Sequence, residues 1–404
     1  MKLFIHTLLC TVFVGQFVGC VGQVPKEKDP TTTLSQDFDT NPPFYYKIPN
    51  QPTAVDTSAG WKVNGQKILL TGTVYEANGT TAAKGALLYY YHTNPQGIYE
   101  VAPGEPLNMP KNSLGQTHGY MRGWVQTGVD GTYEIYTVLP GSYPNRKEPA
   151  HVHISVKEPN VETPYYLDDF VFDHDPLLTS IERNQLKNRG GSGVIRFVQH
   201  ENLWVGERDI YLGRNIPNYP HTMDPKIRSG KLMGEDITSF TPYHAFGPDA
   251  GTTVCPICKY GWYHGILYFV GAKADWSAIK KWLQFLEEES IARDRSLKVY
   301  FVYGNPNNYD KAQRFEMLKA LGAELNLEHL ALTFVPSFTD TISEIDKNQI
   351  NPAVENTFLM YKRSKVIGNF VNLDPTPENF QKLRKTLDAS VNPWFYLSAP
   401  TYKH

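Results

Sequence analysis

The chain has 404 residues, of which 41% are hydrophobic and 20% charged, with a formal net charge of -2. That length is enough for two or three domains with buried cores. The near-neutral balance leaves no basic footprint and argues against nucleic acid as a partner, while an aromatic content of 13%, much of it tyrosine, favours β-rich structure.

Residues 1–20 read as a secretory signal. Lys2 precedes an apolar run from Leu3 to Val18 that is short for a membrane span. Phe17-Val18-Gly19-Cys20 resembles a bacterial lipoprotein box, in which Cys20 would carry the lipid after cleavage; the alternative is an ordinary signal peptide with Cys20 incidental. Residues 21–58 are polar and proline-rich (Pro25, Pro30, Pro42, Pro43, Pro49, Pro52), the composition of a tether. The chain is therefore expected outside the cytoplasm, either anchored to a membrane through Cys20 or secreted or periplasmic.

From 59 to 215 the sequence consists of short alternating runs broken by Gly, Pro, Asn and Asp. Ile68–Val74 and Thr132–Val138 are typical, and Asp130-Gly131 is a hairpin signal. The prediction is an antiparallel β-sandwich, completed by Tyr165–Leu178 and Gly193–His200. Residues 216–238 form an irregular junction.

The pattern changes over 239–390. Gly265–Val270 is a continuous apolar run, as in a strand buried on both faces. Asp275 is placed to cap a helix with Ile279, Trp282, Leu283 and Leu286 on one side. A strand at Leu297–Tyr303, a helix at Ala312–Leu325 and a strand at Leu332–Val335 follow. A hairpin of Thr357–Tyr361 and Val366–Val371 comes next, then a helix opened by Thr376-Pro377. This order resembles that of thioredoxin. The fold class is thus multi-domain: an all-β sandwich, then an α/β thioredoxin-like domain, then a tail over 391–404. Cys255-Pro256-Ile257-Cys258 precedes the first central strand instead of following it, so the likeness is one of architecture. In an oxidising compartment the pair can persist as a disulfide, structural or redox-active. A zinc site would need two more ligands.

The chemistry concentrates in Pro140-Gly141-Ser142-Tyr143-Pro144 and Pro149-Ala150-His151-Val152-His153. In an extended strand His151 and His153 point the same way and Val152 the other. A phenol of pKa about 10 gives up its proton only to a strongly Lewis-acidic ion, for which ferric iron is the natural candidate.

These segments resemble the iron-binding stretch of intradiol ring-cleavage dioxygenases, such as protocatechuate 3,4-dioxygenase and catechol 1,2-dioxygenase. Gly97-Ile98-Tyr99-Glu100 is similar to the segment carrying that family's first iron ligand. Arg122-Gly123, Asp130–Tyr133 and Thr137–Pro140 resemble the strands leading to the second, and Phe172–Leu177 the closing segment. The resemblance runs over residues 60 to 215. It implies one Fe(III) per dioxygenase domain, held by Tyr99, Tyr143, His151 and His153, with Tyr143 and His153 axial and a solvent hydroxide completing the set. It further implies a catechol and O2 as substrates, a muconate-type diacid as product, and Tyr143 as the group that takes a substrate proton. Glu148 stands where the family commonly has Arg, with Arg146 and Lys147 nearby. Asn145 stands where Trp is common, and Asp169 lies near a frequent Gln. The catalytic candidates are Tyr143, Arg146 and Glu148.

Tyr89, Tyr90, Tyr91, Tyr165 and Tyr166 read as packing or pocket wall, and His92, His118, His174, His200 and His264 as solvated or packed. Two rival readings stand beside the dioxygenase. One is a non-catalytic iron- or catechol-binding module, motivated by Glu148. The other is a thiol-disulfide oxidoreductase acting through Cys255 and Cys258. Oligomeric state is left open.

Overall fold

The computed structural model describes residues 29–220 and 227–402. The expected signal and Cys20 lie outside them. Strands β1 (Val55–Thr57), β2 (Lys67–Tyr75), β3 (Leu87–His92), β4 (Arg122–Gln126), β5 (Thr132–Val138), β6 (His151–Lys157), β7 (Tyr165–Tyr166) and β8 (Phe170–Phe172) lead to a short helix α1 (Ser180–Gln185). Strands β9 (Val194–Ile195), β10 (Val198–His200), β11 (Leu203–Glu207) and β12 (Ile210–Tyr211) follow. One sheet runs β1-β5-β2-β11-β10 with β12 also on β2; the other runs β4-β3-β6-β8-β9 with β7 on β6. Alternation selects the faces that meet. Ile68, Leu70 and Ile135 of the first sheet share one buried core with Leu88, Val152 and Ile154 of the second.

The pairing is not purely antiparallel. The hairpin-like ladders β2·β5, β3·β4 and β3·β6 are antiparallel. β1 lies parallel to β5, β11 and β12 parallel to β2, and β9 parallel to β8. The parallel strands arrive over long connections, which free them from the direction that a tight turn imposes.

The stretch read as a tether does not behave as one from Phe38 onward. Phe38, Phe44 and Tyr46 are buried. Trp124 donates its indole N–H to the Phe44 carbonyl at 2.9 Å, and Arg122 donates to that of Tyr46 at 2.9 Å. Phe44, with Tyr45 and Ile48, packs on Tyr89, Tyr91 and Trp124, the outer face of the second sheet. The proline content had masked an apolar set that a sandwich with aromatic residues on both faces needs as a cover.

The second half contains β13 (Tyr243–Phe246), α2 (Pro256–Tyr260), β14 (His264–Val270), α3 (Trp276–Arg293), β15 (Leu297–Tyr303), α4 (Lys311–Glu324), β16 (Ala331–Phe334), β17 (Asn356–Lys362), β18 (Lys365–Val371) and α5 (Pro377–Ser390). Its sheet runs β13-β16-β15-β14-β17-β18. β14, β15 and β16 are parallel, while β13, β17 and β18 pair antiparallel with their neighbours. Apolar clusters cover both faces, which is why β14 is buried along its whole length. Asp275 caps α3 by accepting from the N–H groups of Ser277 and Ala278. Among the described residues no helix is long and apolar enough to cross a membrane.

The two halves are joined by buried charge. Glu207 at the end of β11 accepts from Lys362 at 3.0 Å and from Arg363 and Asn392. Arg196 pairs with Asp236 at 2.8 Å, and Lys365 donates to the carbonyls of Ser192 and Val194 at 3.0 Å each.

Glu207→Ala would leave Lys362 and Arg363 without their anion. Denaturant unfolding should show a loss of about 3–5 kcal/mol. A second expectation concerns pH. His264 hydrogen-bonds Ser390 at 2.7 Å, and burial, with nearby Lys362 and Arg293 adding, takes its pKa down to about 3. The unfolded chain therefore binds this proton first. The contribution of neutral His264 is complete above the ordinary histidine pKa and is lost as pH falls towards 3. The unfolding midpoint should drop across that window, and His264→Gln should flatten the drop.

Candidate metal centre

Two tight loops and one strand bring four donor atoms together. Tyr99 lies in the loop after β3, where the Asn94 side chain accepts from the N–H groups of Gln96 and Ile98 at 3.0 Å each. Tyr143 lies in the loop after β5. The loops are stitched by Thr93, whose hydroxyl donates to the Gly141 carbonyl at 2.8 Å, and by Gly141 N–H, which donates to the Asn94 carbonyl at 3.0 Å. They press so closely that a Cβ on Gly97 would stand 1.9 Å from the Ser142 carbonyl oxygen, and Gly97 has φ +78°. Only glycine meets both conditions. This contact sets the Tyr99 hydroxyl 2.7 Å from that of Tyr143.

His151 and His153 come from β6, with Val152 between them fully buried on the core side. Their Nε2 atoms are 3.0 Å apart and lie 3.3 and 3.4 Å from the Tyr143 hydroxyl. The other ring nitrogens are also engaged. His151 Nδ1 is 2.8 Å from the Pro149 carbonyl, and His153 Nδ1 is 3.1 Å from the Asp169 carboxylate. A carbonyl and a carboxylate only accept, so each Nδ1 carries the hydrogen, which in the neutral ring leaves the lone pair on Nε2. Two lone pairs facing at 3.0 Å repel unless a proton or a cation lies between them.

A proton is a poor bridge here. Burial holds His151 below the ordinary histidine range, with His153 adding to the effect. Burial also lifts both phenols, Tyr99 very strongly, with Tyr143 and Tyr91 contributing. The donor set therefore fits a hard metal ion of high charge, able to ionise phenols and use the imidazole lone pairs. Asp169 belongs to the same cluster with His151 and His153. Its carboxylate engages the outer nitrogen of His153, so it orients that ring instead of joining the four donors. Burial alone would raise the Asp169 carboxyl, but the hydrogen-bonded His153 brings it below its ordinary value.

A cleft of about 590 Å³ opens onto Tyr99, Tyr143 and His153, with Phe38, Lys111, His118, Arg146 and Tyr166 among its other walls. Arg146 lies 5.4 Å from the centre of the Tyr143 ring and pairs with Glu148 at 3.6 Å, both exposed. Glu148 is not a wall of the cleft; its charge faces solvent beside a compensating guanidinium. Cys255 and Cys258 form a disulfide at the start of α2 and take no part in this cluster. His92 is satisfied on both nitrogens, at 2.7 Å from the Thr93 carbonyl and from the Thr137 hydroxyl.

His118, expected to be solvated or packed, is packed, and it is also a wall of the cleft. Its ring stacks on Tyr91 at 3.5 Å, and Tyr91 stacks on His153 at 4.5 Å. His118 Nδ1 is 2.8 Å from the Tyr89 hydroxyl, which accepts from Arg122 at 3.3 Å. A signal existed for Tyr91, since it shares a β-strand face with Tyr89 and sits opposite His153 in the ladder. His118 comes from a loop and carries no periodic signal.

No family model matches the chain, and no curated protein matches it. Among solved structures it is similar to the dioxygenase domain of a dioxygenase–carbohydrate-binding fusion from Streptomyces sp. SirexAA-E, at 18% identity over 40% of this chain and 87% of that one, TM-score 0.29. It is also similar to hydroxyquinol 1,2-dioxygenase from Pseudomonas putida DLL-E4, at 19% identity over 41% and 62%, TM-score 0.30. A third is catechol 1,2-dioxygenase from Acinetobacter sp. ADP1, at 19% over 45% and 64%, TM-score 0.31. This chain thus spans less than two thirds of the last two proteins.

Gly97→Ala should lower the melting temperature and the metal content together. The added methyl must displace the Ser142 backbone, at a cost of about 1–3 kcal/mol. Thermal unfolding and metal analysis of the same sample check it.

Proposed function

We propose that this chain is an extracytoplasmic, non-haem Fe(III) intradiol dioxygenase that opens catecholic rings with O2. One observation carries the reading: Tyr99, Tyr143, His151 and His153 converge, and outer hydrogen bonds turn both imidazole lone pairs towards the phenols. Two phenolates and a hydroxide would balance the three charges of a ferric ion in a buried site. The resemblance of residues 60 to 215 points the same way.

When bound, ferric iron would supply the acidity that ionises a catechol and leaves its ring electron-rich enough to meet O2. The overall reaction breaks the carbon–carbon bond between the hydroxylated carbons and places both oxygen atoms in a diacid. The ring supplies the electrons, so no outside reductant is needed. Tyr143, a wall of the cleft with Arg146 over its ring, is suited to take a proton from the incoming diol. Arg146 and Lys111 place positive charge in the cleft walls, against the one carboxylate there, Asp39, and so favour an anionic oxygen. Asp169 holds His153 in one tautomer throughout. Glu148, paired with Arg146 at the surface, sets no uncompensated charge against an anionic ligand. On this reading a lipid on Cys20 would hold the protein at a membrane. The thioredoxin-like half, over 239–390, would serve assembly or docking and not electron supply.

The test is a visible spectrum before and after adding catechol, with iron quantified on the same sample. A red-brown charge-transfer band should move to longer wavelength with catechol, then fade as O2 is consumed and a muconate-type diacid forms. Tyr143→Phe should slow turnover by at least about 100-fold. A protein that stays colourless and iron-free after ferric reconstitution would overturn the reading.

A further inference from the structure

Beside the metal cleft lies a larger cavity, of about 780 Å³, between the N-terminal stretch and the loop leading into β7. Tyr166 is a wall of both spaces, so they adjoin across one exposed phenol. The segment from Asp37 to Thr40 forms the ridge between them. Asp37 and Thr40 face the larger cavity, while Phe38 and Asp39 face the cleft. The ridge is pinned: Phe38 N–H donates to the Gln116 side chain at 2.9 Å, and Asn112 donates to the Gln36 carbonyl at 3.0 Å.

The lining has a definite chemistry. It consists of prolines, Leu34, aromatic rings, hydroxyl or amide side chains and one carboxylate, and among the described residues it holds no lysine, arginine or histidine. Its one carboxylate, Asp37, is already engaged by the Asp39 N–H at 3.0 Å and the Thr40 hydroxyl at 3.1 Å. Such walls offer nothing to offset the burial of an anionic group, and the Asp37 oxygens are already taken by neutral donors. Flat apolar faces interleaved with neutral donors and acceptors suit an uncharged, hydroxylated ring system. The volume is that of a site for a ligand of many atoms, well beyond one catechol ring.

We propose that this cavity is a subsite for a substituent of the substrate. The chain would act on catechols that carry a large uncharged, hydroxylated group, with the diol at the metal centre and the substituent lying across Tyr166 into the cavity. The inference rests on the dioxygenase reading and deepens it.

The test is an anaerobic titration of the iron-loaded full chain, following the charge-transfer band with catechol and with (+)-catechin, whose diol ring bears a bulky neutral substituent. Catechin should bind about tenfold tighter than catechol or better. Thr163→Trp and, from the opposite wall, Gln36→Trp fill the cavity from exposed positions, and each should bring that ratio towards one. If catechin binds no tighter than catechol, or neither tryptophan changes the ratio, the subsite is overturned while the catechol shift leaves the dioxygenase reading standing. If neither ligand moves the band of iron-containing protein, both fall together.

Discussion

The Nε2 atoms of His151 and His153 stand 3.0 Å apart and face one space, and the surrounding structure fixes that convergence. Their register in β6 is set by the neighbouring strands, with His153 opposite Tyr91 and His151 opposite Val171. A slip of one residue would drive both imidazoles into the core and turn Val152 out, so burial of Val152, Ile154 and their partners resists it. The acceptors behind the rings, Pro149 and Asp169, fix the tautomer, and the Gly97–Ser142 approach brings the phenols to the same point. The convergence of four donors is local; the restraint is spread over a whole sandwich.

That site does not belong to the sandwich alone. The N-terminal stretch covers the outer aromatic face through Phe44, adds β1 to one sheet, and contributes Phe38 to the wall of the cleft. Phe38 packs edge-on against His118 at 5.1 Å, which in turn stacks on Tyr91 and so reaches His153. A chain of ring contacts thus links a segment remote in sequence to the His153 imidazole. On the other side, Glu207, Arg196 and Lys365 lock the α/β half to the sandwich through buried charge that is costly to separate. Relative motion of the halves has little room in such a contact.

Much of this was legible residue by residue. The period of two in β6 placed His151 and His153 on one face. The unbroken apolar run of β14 announced burial on both sides, and Asp275 and Thr376 marked helix starts through capping. Tyr99 and Tyr143 became candidates through resemblance, since nothing in their spacing says that two loops will touch. The tether reading failed from Phe38 onward because composition averages over a segment, whereas burial depends on single side chains such as Phe38 and Phe44 finding a surface.

What the amino-acid sequence determined by itself was local: side-chain direction along a strand, caps, turns, and the donor types available to a metal. Which nitrogen of each imidazole faces inward, where Glu148 sends its charge, that Asp169 stands behind His153, and that His118 and Phe38 meet at one cleft were decided only by the tertiary structure. Each of these depends on an atom supplied by a segment far away in the chain, and no local periodicity encodes the distance between two loops.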